Sequence, residues 1–259
     1  MKKINKTPPP DVLTQYANQH PDATWETFKG RSTRRYKQIK EIIFTDQGHL
    51  CAYCEKTLVG LSQDKKRIEH YHSKSDNDNA AINLHLDWNN LMGVCLGGED
   101  TKEIHALPEN LSCDSYKAHL ENSNMLEIPC HGVVLNPLDI IATPVLFDFE
   151  KSTGKLVVNS EACEIYIPET NEFPNVVELV DYTIKVFNLN CDRLIDERLK
   201  LFRHYQNCLK KAKNINNKNI YADLAVSWFS KKWPSYFTTR RLILGDFAER
   251  YLFESNYDG

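Results

Sequence analysis

Apolar residues fall at different spacings in different stretches of this chain, and each spacing predicts an element. Trp25, Phe28, Ile39, Ile42 and Ile43 stand among basic residues and predict a helix over 32–45, capped by Ser32 and ended by Gly48. Ahead of it, residues 1–24 hold Pro8-Pro9-Pro10 and many polar positions and read as an extended arm. Residues 49–120 keep no long period, which predicts short strands, loops and one helix. Val145-Leu146-Phe147-Asp148-Phe149 and Lys155-Leu156-Val157-Val158 flank Ser152-Thr153-Gly154, predicting a β-hairpin, with Glu164-Ile165-Tyr166-Ile167 as a third strand. From Asn175 onward the spacing is helical. Ile195, Leu199, Phe202 and Leu209 make one apolar face; Leu244, Phe247 and Tyr251 begin another. The change of character places a boundary near 121–135 and divides the chain into domains 1–130 and 131–259.

Composition narrows the class. At 259 residues, 41% hydrophobic and 26% charged, the chain has the make-up of a folded globular protein. No stretch approaches the roughly 18 apolar residues that a membrane helix needs. The basic start, Met1 to Lys6, has no apolar run behind it, so a signal peptide is not read and a cytoplasmic protein is expected. A net charge of −3 argues against nucleic-acid binding over the whole surface but not against a local basic track. Eight cysteines are too few for a disulfide scaffold of this length, and in a reducing compartment paired cysteines point to metal.

Cys51-Ala52-Tyr53-Cys54 is one close pair. Cys95 and Cys113 form a second, stretched by 17 intervening residues that include Gly97-Gly98. Zinc takes four ligands in a tetrahedron, and two pairs on tight turns supply them. These four are the candidate structural zinc ligands, with Cys130-His131 as the substitute pair. Buried free thiols are the plain alternative. A thioredoxin-like redox pair is disfavoured, because no parallel βαβ pattern surrounds Cys51. Cys163, Cys191 and Cys208 are scattered and unpaired.

Between the pairs stands Arg67-Ile68-Glu69-His70-Tyr71-His72. Asp87-Trp88-Asn89-Asn90-Leu91 follows, and Cys113-Asp114-Ser115-Tyr116-Lys117 opens a predicted helix. Cleaving a phosphodiester needs a base for water and a cation for the developing charge. Histidine titrates near neutrality and suits the base; Mg²⁺ or Mn²⁺ suits paired carboxylates. The order of these motifs, over roughly 40–120, resembles the HNH, or ββα-metal, nuclease family. More narrowly, CAYCE, IEHYHSKS, LDWNNL and CDSYK, with the later LNPLD and LNLNCDRLIDER, are similar to the PtuB-type HNH nucleases of Septu and retron antiphage systems.

The resemblance implies an α+β fold: a zinc-stapled ββα-metal nuclease core, then a β-hairpin and a mainly helical C-terminal docking domain. It implies His70 as general base, Glu69 and Asp114 as ligands of the catalytic cation, and Asn90 as the residue that pins the loop orienting His70. The substrate it implies is DNA, with RNA as the alternative, and the partner an ABC-type ATPase, PtuA. The family more often has Asp where Glu69 stands and proline where Ser73 stands. His72 falls on the same strand face as His70; its alternatives are substrate contact, added ligand, or base in His70's place.

Lys29, Arg31, Arg34, Arg35, Lys37 and Lys40 put six cations into twelve residues before the first cysteine pair. Arg31, Arg34, Arg35 and Lys37, with Lys117 and His72, are the candidate nucleic-acid contacts; a solvated helix face is the alternative. Lys210, Lys211, Lys213, Lys231, Lys232, Arg240 and Arg241 are weaker tracks. Trp228, Phe229, Trp233, Tyr236 and Phe237 read as core by default, or as a partner surface. The rival to a nuclease is a non-catalytic zinc knuckle that binds nucleic acid or protein. Such a module has no need of Glu69, His70, Asn90 and Asp114 together.

Overall fold

A computed structural model describes residues 1–31, 33–74, 82–126, 130, 132–231 and 233–259, with the side chain of Arg31 not included. The Ser32 cap, the Arg31 phosphate contact, His131 of the substitute pair and Lys232 therefore lie outside the described residues.

Three helices open the chain: α1 (Asp11–Gln19), α2 (Trp25–Arg31) and α3 (Thr33–Asp46), the last matching the predicted helix. Leu13 and Tyr16, one turn apart on α1, join Trp25, Phe28, Ile39 and Ile43 in a small core completed by Leu86, Trp88 and Leu91. The first 24 residues are thus not a free arm. The proline run leads into α1, where proline is tolerated, and the segment before it is tied down. Ile4 N–H donates to the Pro137 carbonyl at 2.8 Å, and the Met1 ammonium lies 3.3 Å from the Glu55 carboxylate.

Strands β1 (Arg67–His70) and β2 (Leu91–Val94) pair antiparallel, with Glu69 opposite Met92 and His70 opposite Leu91. The end of α3 holds this hairpin. Gln47 forms a two-way bridge to Gly93, donating at 2.8 Å and accepting at 2.7 Å, and also donates to the Leu50 carbonyl. The Phe44 ring lies so close to Gly93 that an added Cβ would meet it at 2.6 Å, so only glycine lets helix and hairpin approach. Helix α4 (Cys113–Asn122) packs across the other face of β1, bringing Lys117 against Glu69.

The second half begins with hairpin β3 (Phe147–Glu150) and β4 (Lys155–Val158), as its turn residues predict. The predicted third strand is instead the short helix α5 (Ser160–Ile165). Asn159 accepts from the Ala162 N–H at 3.0 Å, and this cap outweighs the β-propensity of Ile165 and Ile167, which are left exposed. Four helices precede the end of the chain: α6 (Val176–Val186), α7 (Asp192–Asn214), α8 (Ile220–Phe229) and α9 (Phe237–Leu244). Gly245, at φ +54°, then breaks the expected Leu244–Tyr251 face and starts α10 (Asp246–Glu254). On α7 the predicted apolar face is only half-buried; the buried positions are Arg193, Leu194, Arg198, Leu201 and Ala212. Trp228, Phe229, Tyr236 and Phe237 are core, which removes them as exposed docking anchors. The main core runs from Met1 and Cys51 to Leu252, drawing on both halves. Among the described residues, mixed helices and two small sheets make an α+β protein, and no helix is long and apolar enough to cross a membrane.

Candidate active site and metal centre

The first cysteine pair sits on a tight knuckle after α3. Leu50 bridges Thr57, Cys51 N–H donates to the Lys56 carbonyl, and Glu55 N–H returns to the Cys51 carbonyl. Glu55 takes φ +61° to close the turn. The second pair closes across its long insertion: Ser112 N–H donates to the Gly97 carbonyl at 2.8 Å, which sets Cys113 beside Cys95. The Cys113 N–H in turn donates to the carbonyl of Phe187, from the second half.

The four sulfurs all lie within 4.8 Å of one another. Cys51 to Cys113 is 3.7 Å, Cys54 to Cys95 is 3.8 Å and Cys95 to Cys113 is 3.9 Å. A sulfur tetrahedron with bonds of about 2.3 Å to its centre has edges of about 3.8 Å, so the cluster has the size to hold a metal ion. The Gly97 N–H donates to Cys95 Sγ at 3.3 Å, a hydrogen bond that suits a metal-bound thiolate. Burial pushes the Cys51 and Cys113 thiols up, whereas hydrogen bonds from its three neighbours draw Cys54 down. Cys130 is buried elsewhere: Tyr71 Oη donates to its carbonyl.

Glu69 and His70, adjacent in sequence, leave β1 on opposite faces. Glu69 turns to α4, where it is ion-paired with Lys117 and lies against Asp114. Burial and Asp114 push the Glu69 carboxyl up against the pull of Lys117, and the pairing holds Lys117 charged. Lys117 is 4% exposed, and its ammonium also approaches the His70 carbonyl at 3.4 Å. The sequence places it among the phosphate contacts; the structure makes it a buried counter-ion. Two residues earlier on the same face, Arg67 forms a two-armed bond to Glu99, which Ser115 Oγ joins at 2.7 Å.

His70 turns to the small core. Its ring meets Trp25 edge-on at 5.1 Å, and Nε2 lies 3.1 Å from the His85 carbonyl. A carbonyl only accepts, so Nε2 carries the proton and Nδ1 keeps its lone pair. Burial holds the imidazole at about 4, neutral at pH 7. Asn90, 1% exposed, staples the turn that follows β1. Its Oδ1 accepts from the His72 N–H at 2.6 Å, while its Nδ2 donates to the carbonyls of His72 and Leu84. His72 is half-buried beside Tyr71 and falls beyond the end of β1, so strand alternation does not place it with His70.

Arg34, Arg35 and Lys37 are exposed on α3, with Arg35 over the Tyr16 ring. Lys40 is buried and donates to the carbonyls of Gln63 and Lys66, and Lys29 pairs with Glu26. Sequence reasoning does not single out His85 or Arg67. The His85 contribution is a backbone carbonyl, which leaves no mark in side-chain identity. Arg67 stands beside the Glu-His pair, and its position two residues before Glu69 is a usable signal.

No family model matches the chain. It is 39% identical over 249 residues to a protein of Escherichia coli described as "Retron Ec83 putative HNH endonuclease", covering 95% of each chain. At that identity along nearly the full length, the chain belongs to the HNH endonuclease family.

Proposed function

We propose that this endonuclease hydrolyses DNA phosphodiester bonds with His70 as general base, Glu69 and Asp114 as carriers of a Mg²⁺ or Mn²⁺ ion, and zinc in the four-cysteine centre. The observation that carries the reading is the β1–β2–α4 unit. Antiparallel strands and one helix put Glu69 beside Asp114 on one face of the β1 end and His70 on the other, with Asn90 stapling the turn that follows. A non-catalytic knuckle gives no reason for a buried Glu69–Asp114 pair and a tautomer-locked His70 on neighbouring residues of one strand.

The His85 carbonyl fixes the His70 tautomer, so Nδ1 is the atom that takes a proton from water. An approaching phosphodiester anion raises the imidazole from its low resting value, strengthening it as a base. Asn90 holds the turn behind His70 and makes no claim on the cation. Lys117 neutralises Glu69 until substrate and cation arrive, and Asp114 adds the second carboxylate. The divalent cation supplies Lewis acidity toward the phosphoryl and leaving oxygens. The contact with the backbone phosphates is assigned to Arg34, Arg35 and Lys37, which are exposed on α3.

The curated relative is named for a retron. With the PtuB-type motifs, that name supports a role as the nuclease of a cytoplasmic antiphage complex beside a PtuA-type ABC ATPase, with residues 1–130 as nuclease domain and 131–259 as docking domain. The test is cleavage of plasmid DNA and of RNA by purified protein, with and without the ATPase. His70→Ala should abolish divalent-dependent cutting while zinc content and fold remain. If His70→Ala cuts normally and His72→Ala does not, the base is His72.

A further inference from the structure

A divalent ion held by four thiolates carries two net negative charges, and here all four sulfurs belong to buried residues. Burying such a dianion is unfavourable unless cations or donors face it. Glu55, which follows Cys54 in the chain, is already engaged with the Met1 ammonium and with the N–H and hydroxyl of Thr238. The available cations come from the second half of the chain. Arg193 and Arg198, one turn and a residue apart on α7, are 5% and 2% exposed. Among the described residues, neither pairs with a carboxylate within 4.0 Å. Buried guanidiniums without a carboxylate are costly in themselves.

Arg198 is satisfied by the Gly154 and Leu189 carbonyls and by Asn190. Arg193 is not fully satisfied. Its Nη2 donates to Ser112 Oγ at 2.7 Å, and that hydroxyl lies 3.5 Å from Cys113 Sγ. Its Nε is buried with no partner. The loop that carries Cys95 is shaped around it: a Cβ on Gly98 would stand 2.9 Å from Nε. The Arg193 N–H donates to Asn110, anchoring α7 to the same loop. Ser112, Gly98 and Arg193 thus place an under-used positive group against the sulfur cluster.

We propose that Arg193 is the charge partner of the four-cysteine metal centre, so that helix α7 of the second half controls how firmly the nuclease half keeps its metal. Two guanidiniums on α7 match the two negative charges of the loaded centre, and the field of Cys54 reaches both. This rests on the reading of the four cysteines as a metal centre.

The test uses the full chain and compares Arg193→Gln with Arg193→Lys. Both remove the planar fork; only lysine keeps the charge. Zinc is counted by elemental analysis, and its retention is measured against a chromogenic chelator. Cobalt-substituted protein is checked for the thiolate-to-metal band and for far-ultraviolet dichroism. Arg193→Gln should hold metal about 10–100-fold more weakly than wild type, the range for outer partners of metal ligands, and Arg193→Lys should recover most of that loss. Equal retention by Arg193→Gln and wild type overturns the proposal, as does an equal loss in both variants, which would mark packing and not charge. If Arg193→Gln does not fold, Arg193→Lys against wild type decides: near wild-type retention supports the charge role, and a loss of about 100-fold overturns it. Wild-type protein that binds neither zinc nor cobalt would instead remove the metal-centre reading itself.

Discussion

Replacing Lys117 by Met separates the two roles this residue can have. The Lys117 and Glu69 side chains are 5% and 11% exposed. Lys117→Met keeps most of the aliphatic volume but leaves the Glu69 carboxylate buried beside Asp114 without its counter-ion. Breaking a buried pair from one side costs about 3–5 kcal/mol, whereas removing both charges together is often close to neutral. The single variant should therefore lose about 3–5 kcal/mol at pH 7.5, and Glu69→Gln/Lys117→Met should recover most of it. For a chain of this length each kcal/mol moves Tm by roughly 2–4 °C, so the single variant should melt about 10 °C lower. The assay is thermal unfolding by circular dichroism in magnesium-free buffer, with zinc content checked in every sample. The pH dependence has a defined sign. In Lys117→Met the folded Glu69 carboxyl is raised further above its unfolded value, so the deficit is full above the folded value and shrinks as pH falls through it. Equal losses in the single and double variants, or a loss below about 1 kcal/mol in the single, would refute the buried-pair account. Lys117 would then be free to reach phosphate.

Zinc removal should unfold the first half: Cys51→Ser and Cys113→Ser should each lose the metal by elemental analysis and expose Tyr53 and Trp25 to quenchers. His70, held at about 4 against an ordinary 6.5, makes the folded state bind fewer protons than the unfolded chain between those values. Stability should thus fall as pH drops from about 6.5 toward 4, by about 3 kcal/mol in all, and denaturant titrations of His70→Gln should lose most of that slope. Replacing Arg34, Arg35 and Lys37 with Gln should weaken DNA binding and lower the slope of log K against log salt by about 3; an unchanged slope would leave α3 as a solvated face.

The chemistry is legible in the sequence because the reactive residue types are few and their turns are local. The C-x-x-C pair needs only its own knuckle, and the distant Cys95 and Cys113 are recoverable because four thiols have few other joint uses. The β3–β4 hairpin is legible from its turn, and α3 from the spacing of Ile39 and Ile43. The strand predicted over 164–167 does not form, because Asn159 offers a helix cap that outweighs the β-branched propensity of Ile165 and Ile167.

What the sequence alone determined is which groups are present and which can share a short turn. Tertiary structure decided what each group faces. Glu69 and His70 are neighbours in the chain, yet strand alternation sends one to Lys117 and Asp114 and the other to Trp25 and the His85 carbonyl. Lys117 reads as a surface cation until α4 lies on β1 and excludes water from it. Periodicity announces an apolar face but not its cover, so the choice between core and partner surface for Trp228, Phe229, Tyr236 and Phe237 was decided for core only by the packing of the two halves. The same holds for Arg193: its meaning depends on the cysteine loop, whose Asn110 and Ser112 it meets from 83 and 81 residues away. Pairings at that distance are set by packing, which no local pattern encodes.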